Sequence, residues 1–578
     1  MHLKVLVFPL NSLILSDLVL RRGHEPLTSM DVIAERVEDK PLKSPPYNVE
    51  DSDLVKALRY TPVDLPAGAK GRIALFAKLV EEADAALIMD SEACFGPSGC
   101  FRANMALQAL IRRRGLPTLR VEEPSDPVKA EKLLKAVDEF LGEPKPLGGL
   151  VRGSSTPKVL RITSHPKVST YPTEVPRIAL LSCGLEYSGV YGEVVDAIRS
   201  VGAEVYIPEY SKEKVGEIES VFGFKPASGD LRLLMAQALS LLELKINVRG
   251  ALVMTCFRCG EGSLVRHVVR SFIAERLKIP VVAYSFTERT RAYNMQLRVE
   301  ALYNLAVRRR LYKIPVKGGL ALGVDSGSTS TKAVVIDGRE VLGFSWRPTV
   351  DVERDAEIAA REALEMAGVN LSQLDAVGVT GYGRLRISEL FEDSFKVDDV
   401  NSSAFGALLL SGERSCLILD IGGTDSKAVS IRDLTPTSFT VGGTCAGASG
   451  RFLESAASRL GVTIEELGEM AVEGLSSNVT LNAYCAIFGM QDVVALLARG
   501  LDRRSVAAAV CRSIAEQFYQ QFLGDIDVVS PLIHVGGTSL VEGLTRALEE
   551  VTGIKALKPK HSHLAGAIGA AAMALNSR

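Results

Sequence analysis

Two stretches about a hundred residues apart repeat one design, and they constrain the fold of this 578-residue chain more than any other feature. The first, GVDSGSTSTKAVVIDG from Gly323, reads as a strand, a turn rich in glycine and hydroxyls, and a second strand. Its residues Asp325, Ser326, Gly327, Ser328, Thr329, Ser330 and Thr331 offer backbone N–H and hydroxyl donors to phosphate, and Lys332 adds positive charge. The second, LILDIGGTDSKAVSI, carries Asp420, Gly422, Gly423, Thr424, Asp425, Ser426 and Lys427 in the same arrangement. Neither is a Walker loop, which needs GxxxxGK[ST] opening a helix. A third glycine pair, Gly536 and Gly537 in IHVGGTSLVEGL, is expected to open a helix and to approach adenosine. One such hairpin is no more than a glycine-rich turn. Two hairpins with a third glycine pair predict a nucleotide, ATP or ADP, clamped between two lobes. Asp325 and Asp420 would then face one Mg²⁺ through waters and orient the attacking water, while Lys332, Lys427 and the hydroxyls hold phosphates.

The rest of the chain alternates short β-branched runs with longer helical periodicity, which predicts an α/β architecture with parallel sheets. Strand candidates in the first half are KVLVF, RIALF, AALIMD, RIALLSC, AEVYIP, GALVMTC and PVVAYS. A softer stretch rich in Pro, Gly, Ser and Thr, from about Gly142 to Pro176, reads as a linker or crossover. The basic segment LAVRRRLYKIPVKGG then runs into a new strand at Leu320. The Ala-rich AGAIGAAAMAL near the end reads as a tightly packed helix whose small side chains let backbones approach. At the N-terminus, Asn11 and Asp17 interrupt the apolar stretch, so it is expected to be a strand and its continuation, not a signal peptide. No apolar run reaches the ~18 residues of a membrane helix, so no membrane partner is expected. Lys plus Arg count 67 against 69 for Asp plus Glu, which gives no electrostatic case for nucleic acid. Nine cysteines are too few for a disulfide framework in a chain of this length, and their clustering fits a reducing, cytoplasmic setting with metal or redox sites.

The order of the three glycine motifs resembles the ATPase superfamily of actin, sugar kinases and heat-shock chaperones. Within it, Leu320 to Arg578 resembles the activator family of 2-hydroxyacyl-CoA dehydratases, which includes the ATPase subunits of benzoyl-CoA reductase. Further matching motifs are VTGYGR at Val379–Arg384, CAGASGRFLE at Cys445–Glu454 and CAIF at Cys485–Phe488. The resemblance implies an α/β fold with a C-terminal two-lobed, actin-like (ribonuclease H-like) ATPase domain over 318–578. Two α/β lobes with parallel sheets, 1–170 and 171–317, would precede it. It also implies an iron–sulfur ATPase that passes single low-potential electrons to a partner enzyme. Three departures stand out: Thr424 where the family usually has Gln, Ser403 where a His is common, and Phe488-Gly489-Met490-Gln491-Asp492 after the second cysteine. They bear on which partner is served.

Cys445 and Cys485 each directly precede a helical pattern, where the helix dipole favours thiolate and a negatively charged cluster. Two thiolates cannot complete a [4Fe–4S] cubane, which needs four. A two-fold homodimer supplies two from each chain, and the resemblance implies this arrangement too. The alternative is that both are buried apolar cysteines. Cys416 and Cys511, inside a strand and a helix, are expected to be core packing.

In the first half, Cys94, Cys183 and Cys256 each follow a predicted strand and precede a predicted helix. Strand ends of open α/β sheets converge in a crevice, so these three, with Cys100 or Cys259 as a fourth ligand, are candidates for a second Fe–S cluster. This half resembles, through FGPSGCFR and TCFRCGEG, the cluster-binding subunit of the same dehydratases. Cys256-x-x-Cys259 also reads as a redox dithiol or half a zinc site. His267 lies in a helical pattern and reads as packed or surface-facing; His561 and His563 could touch the nucleotide lobe.

The resulting expectation is an ATP-hydrolysing electron donor with Asp325, Asp420 and Asp425 as catalytic carboxylates. A ferredoxin or flavodoxin would feed it, and the acceptor would be a dehydratase- or reductase-type enzyme or the chain's own N-terminal cluster. A metabolite kinase of the same superfamily, with Asp425 as base, is the rival reading, but it leaves Cys445 and Cys485 without a purpose. A non-redox protein in which ATP gates partner docking is a third.

Overall fold

Short β-branched and apolar runs become strands in both halves of the chain, and the apolar periodicities between them become helices. The computed structural model describes residues 2–37, 47–60, 65–90, 99–144, 175–243, 248–307, 312, 316–442, 449–481, 486–522 and 526–578. They divide into two units, Met1–Gln296 and Leu297–Arg578.

In the first unit, β1 (Lys4–Phe8), β2 (Glu25–Leu27), β3 (Ala85–Asp90) and β4 (Thr118–Glu122) form a parallel sheet in the order β2-β1-β3-β4. Helices α1 (Leu13–Arg21), α2 (Ala67–Glu82) and α3 (Gly99–Arg114) flank it. The period of two divides the strand residues between the faces. Leu6, Phe8, Ala86 and Ile88 meet Phe76 and Leu79 of α2, whereas Val5, Val7, Leu87 and Met89 meet Leu15 and Leu18 of α1. The second sheet, β5 (Arg177–Cys183), β6 (Glu204–Tyr206), β7 (Val248–Cys256) and β8 (Val281–Phe286), repeats the plan in the order β6-β5-β7-β8. Helices α4 (Gly229–Glu243) and α5 (Gly260–Leu277) pack on it.

Two sequence expectations need correction here. RIALF is not a strand; it lies inside α2. No proline falls between Ala67 and Glu82, the two glycines Gly68 and Gly71 sit near the helix start, and Ile73, Phe76, Ala77 and Val80 are buried at helical spacing. The N-terminal apolar stretch continues from β1 as helix α1, which Ser12 caps by accepting from the Leu15 N–H. Most of the Gly142–Pro176 stretch lies outside the described residues.

The second unit has two sheets of matching design. The first sheet joins β9 (Leu320–Ser326), β10 (Ser330–Asp337), β11 (Glu340–Pro348), β12 (Ala376–Thr380) and β13 (Phe395–Lys396) in the order β11-β10-β9-β12-β13. The second joins β14 (Cys416–Ile421), β15 (Ser426–Arg432), β16 (Thr435–Val441), β17 (Leu532–Val535) and β18 (Ala556–Leu557) in the order β16-β15-β14-β17-β18. In each, the first three strands are antiparallel and the last two join in parallel. A lobe with this order, used twice, is the ribonuclease H-like, actin-like architecture expected for this region.

Helices α6 (Val352–Ala367), α7 (Asp399–Ser411), α8 (Gly450–Leu460), α9 (Arg503–Phe522), α10 (Glu542–Thr552) and α11 (Ala565–Ser577) cover the sheets. The Ala-rich segment is α11, as expected. A Cβ on Gly323 of β9 would stand 1.9 Å from the Ala567 carbonyl oxygen, and one on Gly406 of α7 would stand 1.9 Å from that of Ala565. Only small residues admit so close an approach of backbones. Cys416 and Cys511 are fully buried, Cys511 in the core that α9 shares with α8 and α10. Among the described residues, no helix is long and apolar enough to cross a membrane.

Candidate functional site

The strand register places an aspartate opposite a lysine in each repeat: Asp325 pairs with Lys332 across β9 and β10, and Asp420 with Lys427 across β14 and β15. Directly opposed side chains share a face of the sheet, so each hairpin brings its charged pair to the same side. A glycine with positive φ follows the neighbouring parallel strand in both lobes: Gly381 (φ +88°) abuts Asp325, and Gly536 (φ +86°) abuts Asp420. A side chain there would strain the backbone and collide with the carboxylate.

The two hairpin turns meet. The Ser328 and Thr424 hydroxyls hydrogen-bond each other, and Thr329 packs on Gly423 where a Cβ would stand 2.3 Å from its Oγ1. The first turn closes through Gly327 N–H to Ser330 O at 3.1 Å, the second through Gly422 N–H to Asp425 O at 2.9 Å. The start of α8 is tied to the second turn, with Gly450 and Arg451 N–H donating to the Gly422 and Gly423 carbonyls. Ser326 and Thr331 are buried beside the first turn, and the Ser326 Oγ has no partner.

Around these turns the charges are unequal. Lys332 Nζ lies 3.1 Å from Asp325. Lys427 Nζ lies 3.0 Å from Asp399, 3.3 Å from Asp425 and 3.7 Å from Asp420. Both lysines are therefore engaged by carboxylates, where the sequence reading assigned them to phosphate. Burial alone would lower the Lys427 ammonium, but Asp399, then Asp425 and Asp420, outweigh it and hold its pKa well above the ordinary value. Lys427 in turn is the main cause that lowers Asp425, with a smaller contribution from Arg298. Burial pushes Asp399 up to about 6 against the pull of Lys427, and Asp425 and Asp398 add to the rise. Three carboxylates and one ammonium leave two negative charges among these four side chains, and Asp399 Oδ1 is buried without a partner. Such a surplus of negative charge would favour a cation beside the turns, held through its own waters, since no three of the described His, Cys, Asp or Glu side chains gather as a direct ligand set.

The third glycine pair behaves differently from expectation. Gly536 and Gly537 enter a 3₁₀ turn, Gly537–Leu540, and α10 begins only at Glu542. The hydroxyls explain this, because Ser539 donates to Gly536 O within the turn and Thr538 ties the turn to Ile421 O at the end of β14. His534 sits beneath, hydrogen-bonded to Thr545 and Thr538, with burial pushing its pKa down to about 3. His561 and His563 approach the first lobe, packing edge-on and tilted against Phe344 and Trp346 of β11. Burial, with His561 and Lys332 nearby, pushes His563 down to about 4.

A scan of known families matches residues 322–574 to the BadF/BadG/BcrA/BcrD ATPase family. Over 404 residues the chain is 45% identical to an uncharacterized protein of Methanocaldococcus jannaschii, covering 70% of this chain and 97% of that one. The chain belongs to the BadF/BadG/BcrA/BcrD ATPase family. The (R)-2-hydroxyglutaryl-CoA dehydratase activating ATPase of Acidaminococcus fermentans is 27% identical over 251 residues, 43% of this chain and 95% of that one. The crystal structure of component A of that dehydratase matches 45% of this chain and 98% of its own, at 26% identity and a TM-score of 0.42. Residues 3–143 match a second family, described as an uncharacterized protein conserved in archaea (DUF2112).

For this ATPase chain the sequence reading finds the hairpin carboxylates but misses Asp399. The available signal is the doubled Asp398-Asp399 at a helix start, where Asp398 caps α7 by accepting from Asn401 N–H at 2.9 Å. Ser403, the departure in that same segment, is buried on α7 facing Gly566.

The cysteine candidates divide. Cys445, Cys485 and Cys94 lie outside the described residues, and of Cys100 only its place in the first turn of α3 is described. Cys183 and Cys256 end the adjacent strands β5 and β7, as read; the Cys256 thiol lies 3.7 Å from the Cys183 carbonyl oxygen, but the two side chains start from opposite faces. Cys183 shares its face with Ala179 and Leu181 in the apolar core against α4 and α5. The register pairs Cys183 with Thr255, so Cys256 falls on the opposite face. There its Sγ accepts the Gly68 N–H of α2 at 3.3 Å. Cys259 caps α5, its Sγ accepting from Gly262 N–H. Among the described residues, no group of three or more His, Cys, Asp or Glu side chains gathers as a metal-ligand set. His267 is exposed on α5.

Proposed function

We propose that the chain is a Mg²⁺-dependent ATPase that drives single low-potential electrons into a dehydratase- or reductase-type partner. The observation that carries the ATPase part is the repeated Asp–Lys hairpin pair, whose turns touch through Ser328 and Thr424 beside the carboxylate surplus of Asp399, Asp420 and Asp425. Mg²⁺ would supply Lewis-acid charge at the phosphates when bound.

The chain's own groups do the rest. Backbone N–H groups and hydroxyls of Ser326–Thr331 and Gly422–Thr424 line both turns and would cradle the phosphates. Asp325 and Asp420, each braced by a glycine, would orient the hydrated cation and the attacking water. Lys427 is a counter-ion that keeps three acids together, and Lys332 does the same for one. Ser403 and Thr424 leave this carboxylate set in place; both lie near it, not in it.

The electron-transfer part is supported by the family and by its named relatives, among them the dehydratase activating ATPase of Acidaminococcus fermentans and a benzoyl-CoA reductase component of Thauera aromatica. We place the cluster on Cys445 and Cys485, two ligands from each of two copies, with a ferredoxin or flavodoxin as the donor. A [4Fe–4S] cluster would supply one-electron chemistry at low potential. We take the acceptor to be an external enzyme and not an N-terminal cluster; the position of Cys183 in the apolar core supports that choice.

Purified under anaerobic conditions, the chain should be brown, should contain iron and sulfide, and should hydrolyse ATP only with Mg²⁺. A colourless protein that phosphorylates a metabolite would replace this reading with the kinase one.

A further inference from the structure

The family-matched residues begin at 322, yet the carboxylate cluster is held from outside them. The helix Ala292–Val307 precedes that domain, and its residues from Leu297 onward belong to the second unit. Three of its side chains reach groups around the site. Arg298 Nη2 donates to the Gly442 carbonyl at 2.9 Å, at the exit of β16. Gly442 N–H in turn donates to Ser426 O at 2.7 Å, next to Asp425. Glu300 pairs with the buried Arg384 of the VTGYGR motif. Asn304 Nδ2 donates to Asp398 Oδ2 at 2.7 Å.

Asp398 is the hub of a buried network. Its carboxylate accepts from Asn401 N–H at 2.9 Å and from Asn401 Nδ2 at 2.8 Å, while Tyr312 OH donates to Asn401 Oδ1 at 3.0 Å. Tyr312 stacks on Phe405 of α7, with ring centroids 5.4 Å apart. This network fixes the first turn of α7, and the next residue along is Asp399, the nearest carboxylate to Lys427.

We propose that Arg298 and Asn304 are positioning residues of the nucleotide site. Asn304 holds the cap that sets Asp399 against Lys427, and Arg298 holds the strand exit bonded to the Asp425–Ser426 turn. Arg298 also adds positive charge that favours the ionised Asp425. Both residues bond protein groups that support the carboxylates, Gly442 O and Asp398 Oδ2, so their loss is expected to misalign the carboxylates. A misplacement of ~1 Å in such a site costs up to ~100-fold in rate.

This inference rests on the nucleotide-site reading above. In the full chain, Arg298→Ala and Asn304→Ala should each lower the kcat for ATP hydrolysis between ~10- and ~100-fold while KM stays within about twofold. Arg298→Lys, which keeps the charge and one donor, should recover part of that loss at an unchanged melting temperature. Calorimetric MgADP binding separates the two claims. A wild-type chain that binds MgADP but hydrolyses no ATP overturns the ATPase reading alone, and the variants are then read through MgADP affinity, where a loss of at least threefold supports positioning. A wild-type chain that binds no MgADP overturns both. Variants with wild-type kcat and wild-type MgADP affinity overturn positioning alone.

Discussion

Asp420→Asn separates holding the fold from organising the cation. The side chain keeps its shape, so it still fits beside Gly536, and only the charge is lost. Lys427 retains its two nearer partners, Asp399 at 3.0 Å and Asp425 at 3.3 Å, and loses the one at 3.7 Å. Because Coulomb attraction falls as 1/r, Asp420 supplies only about three tenths of the summed pull on that ammonium. Removing one of three like charges also relieves repulsion, so the melting temperature should move by less than ~4 °C, equivalent to about 1 kcal/mol in a domain of this size. Catalysis should respond far more. The cluster drops from two negative charges to one, and losing a group that organises transition-state charge costs about 3 kcal/mol, or roughly 100-fold in kcat. The assay is phosphate release against Mg²⁺ concentration, beside thermal unfolding of the same sample. Asp433→Asn is the control, an exposed hairpin carboxylate paired with Arg414, and it should change neither. Less than tenfold loss of turnover in Asp420→Asn, at an unchanged melting temperature, would refute the assignment.

The other predictions are more direct. Cys445→Ser or Cys485→Ser in the full chain should remove the protein's iron, measured by iron and sulfide content; iron unchanged in both would overturn their role as ligands. Cys183→Ser should leave iron untouched and cost ~1–3 kcal/mol by placing a hydroxyl in an apolar core, whereas a drop in iron with full stability would restore the second cluster. Gly406→Val should lower the melting temperature sharply, since its Cβ would already sit 1.9 Å from the Ala565 carbonyl; a shift under ~2 °C contradicts the close packing of α7 on α11. His534 has a folded pKa of about 3 against 6.5, so its stabilising contribution is complete above pH 6.5 and is lost as pH falls toward 3. Asp399 acts with the opposite sign, stabilising more as pH falls through about 6. His534→Gln should therefore flatten the decline of melting temperature between pH 6.5 and about 4; an unchanged slope would show that the buried histidine does not titrate in this way.

What the sequence disclosed follows from what is local. The short β-branched runs, the Asp–Gly–hydroxyl turns and the Ala-rich helix are each written within a few neighbouring residues, and apart from RIALF they appear in the fold as read. RIALF failed because a run of four apolar residues does not distinguish a strand from one turn of a buried helix; the apolar spacing over the whole of Ala67–Glu82 decides it. Gly536-Gly537 failed because Ser539 bonds back to Gly536 while Thr538 ties the turn to Ile421 of β14, a contact 117 residues away in sequence. Cys183 and Cys256 do both end strands, but the parity that puts them on opposite faces depends on a register that no single strand contains. Asn304 on Asp398 was invisible for the same reason: 94 residues separate them.

The inequality between the two hairpins carries the last step. The same Asp–Lys register occurs in both lobes, and by itself it sets one carboxylate against one ammonium in each. In the first lobe that balance persists, with Lys332 held by Asp325. In the second, α7 brings Asp399 and the turn brings Asp425, and the balance moves to three against one. On the function proposed above, the two surplus negative charges would draw the hydrated cation, between Asp325 and Asp420, toward the second hairpin, with both turns left to grip the phosphates. Asp399 and Asp425 together create this asymmetry, and the groups that keep Asp399 in place are Asp398, Asn401 and, from ahead of the domain, Asn304.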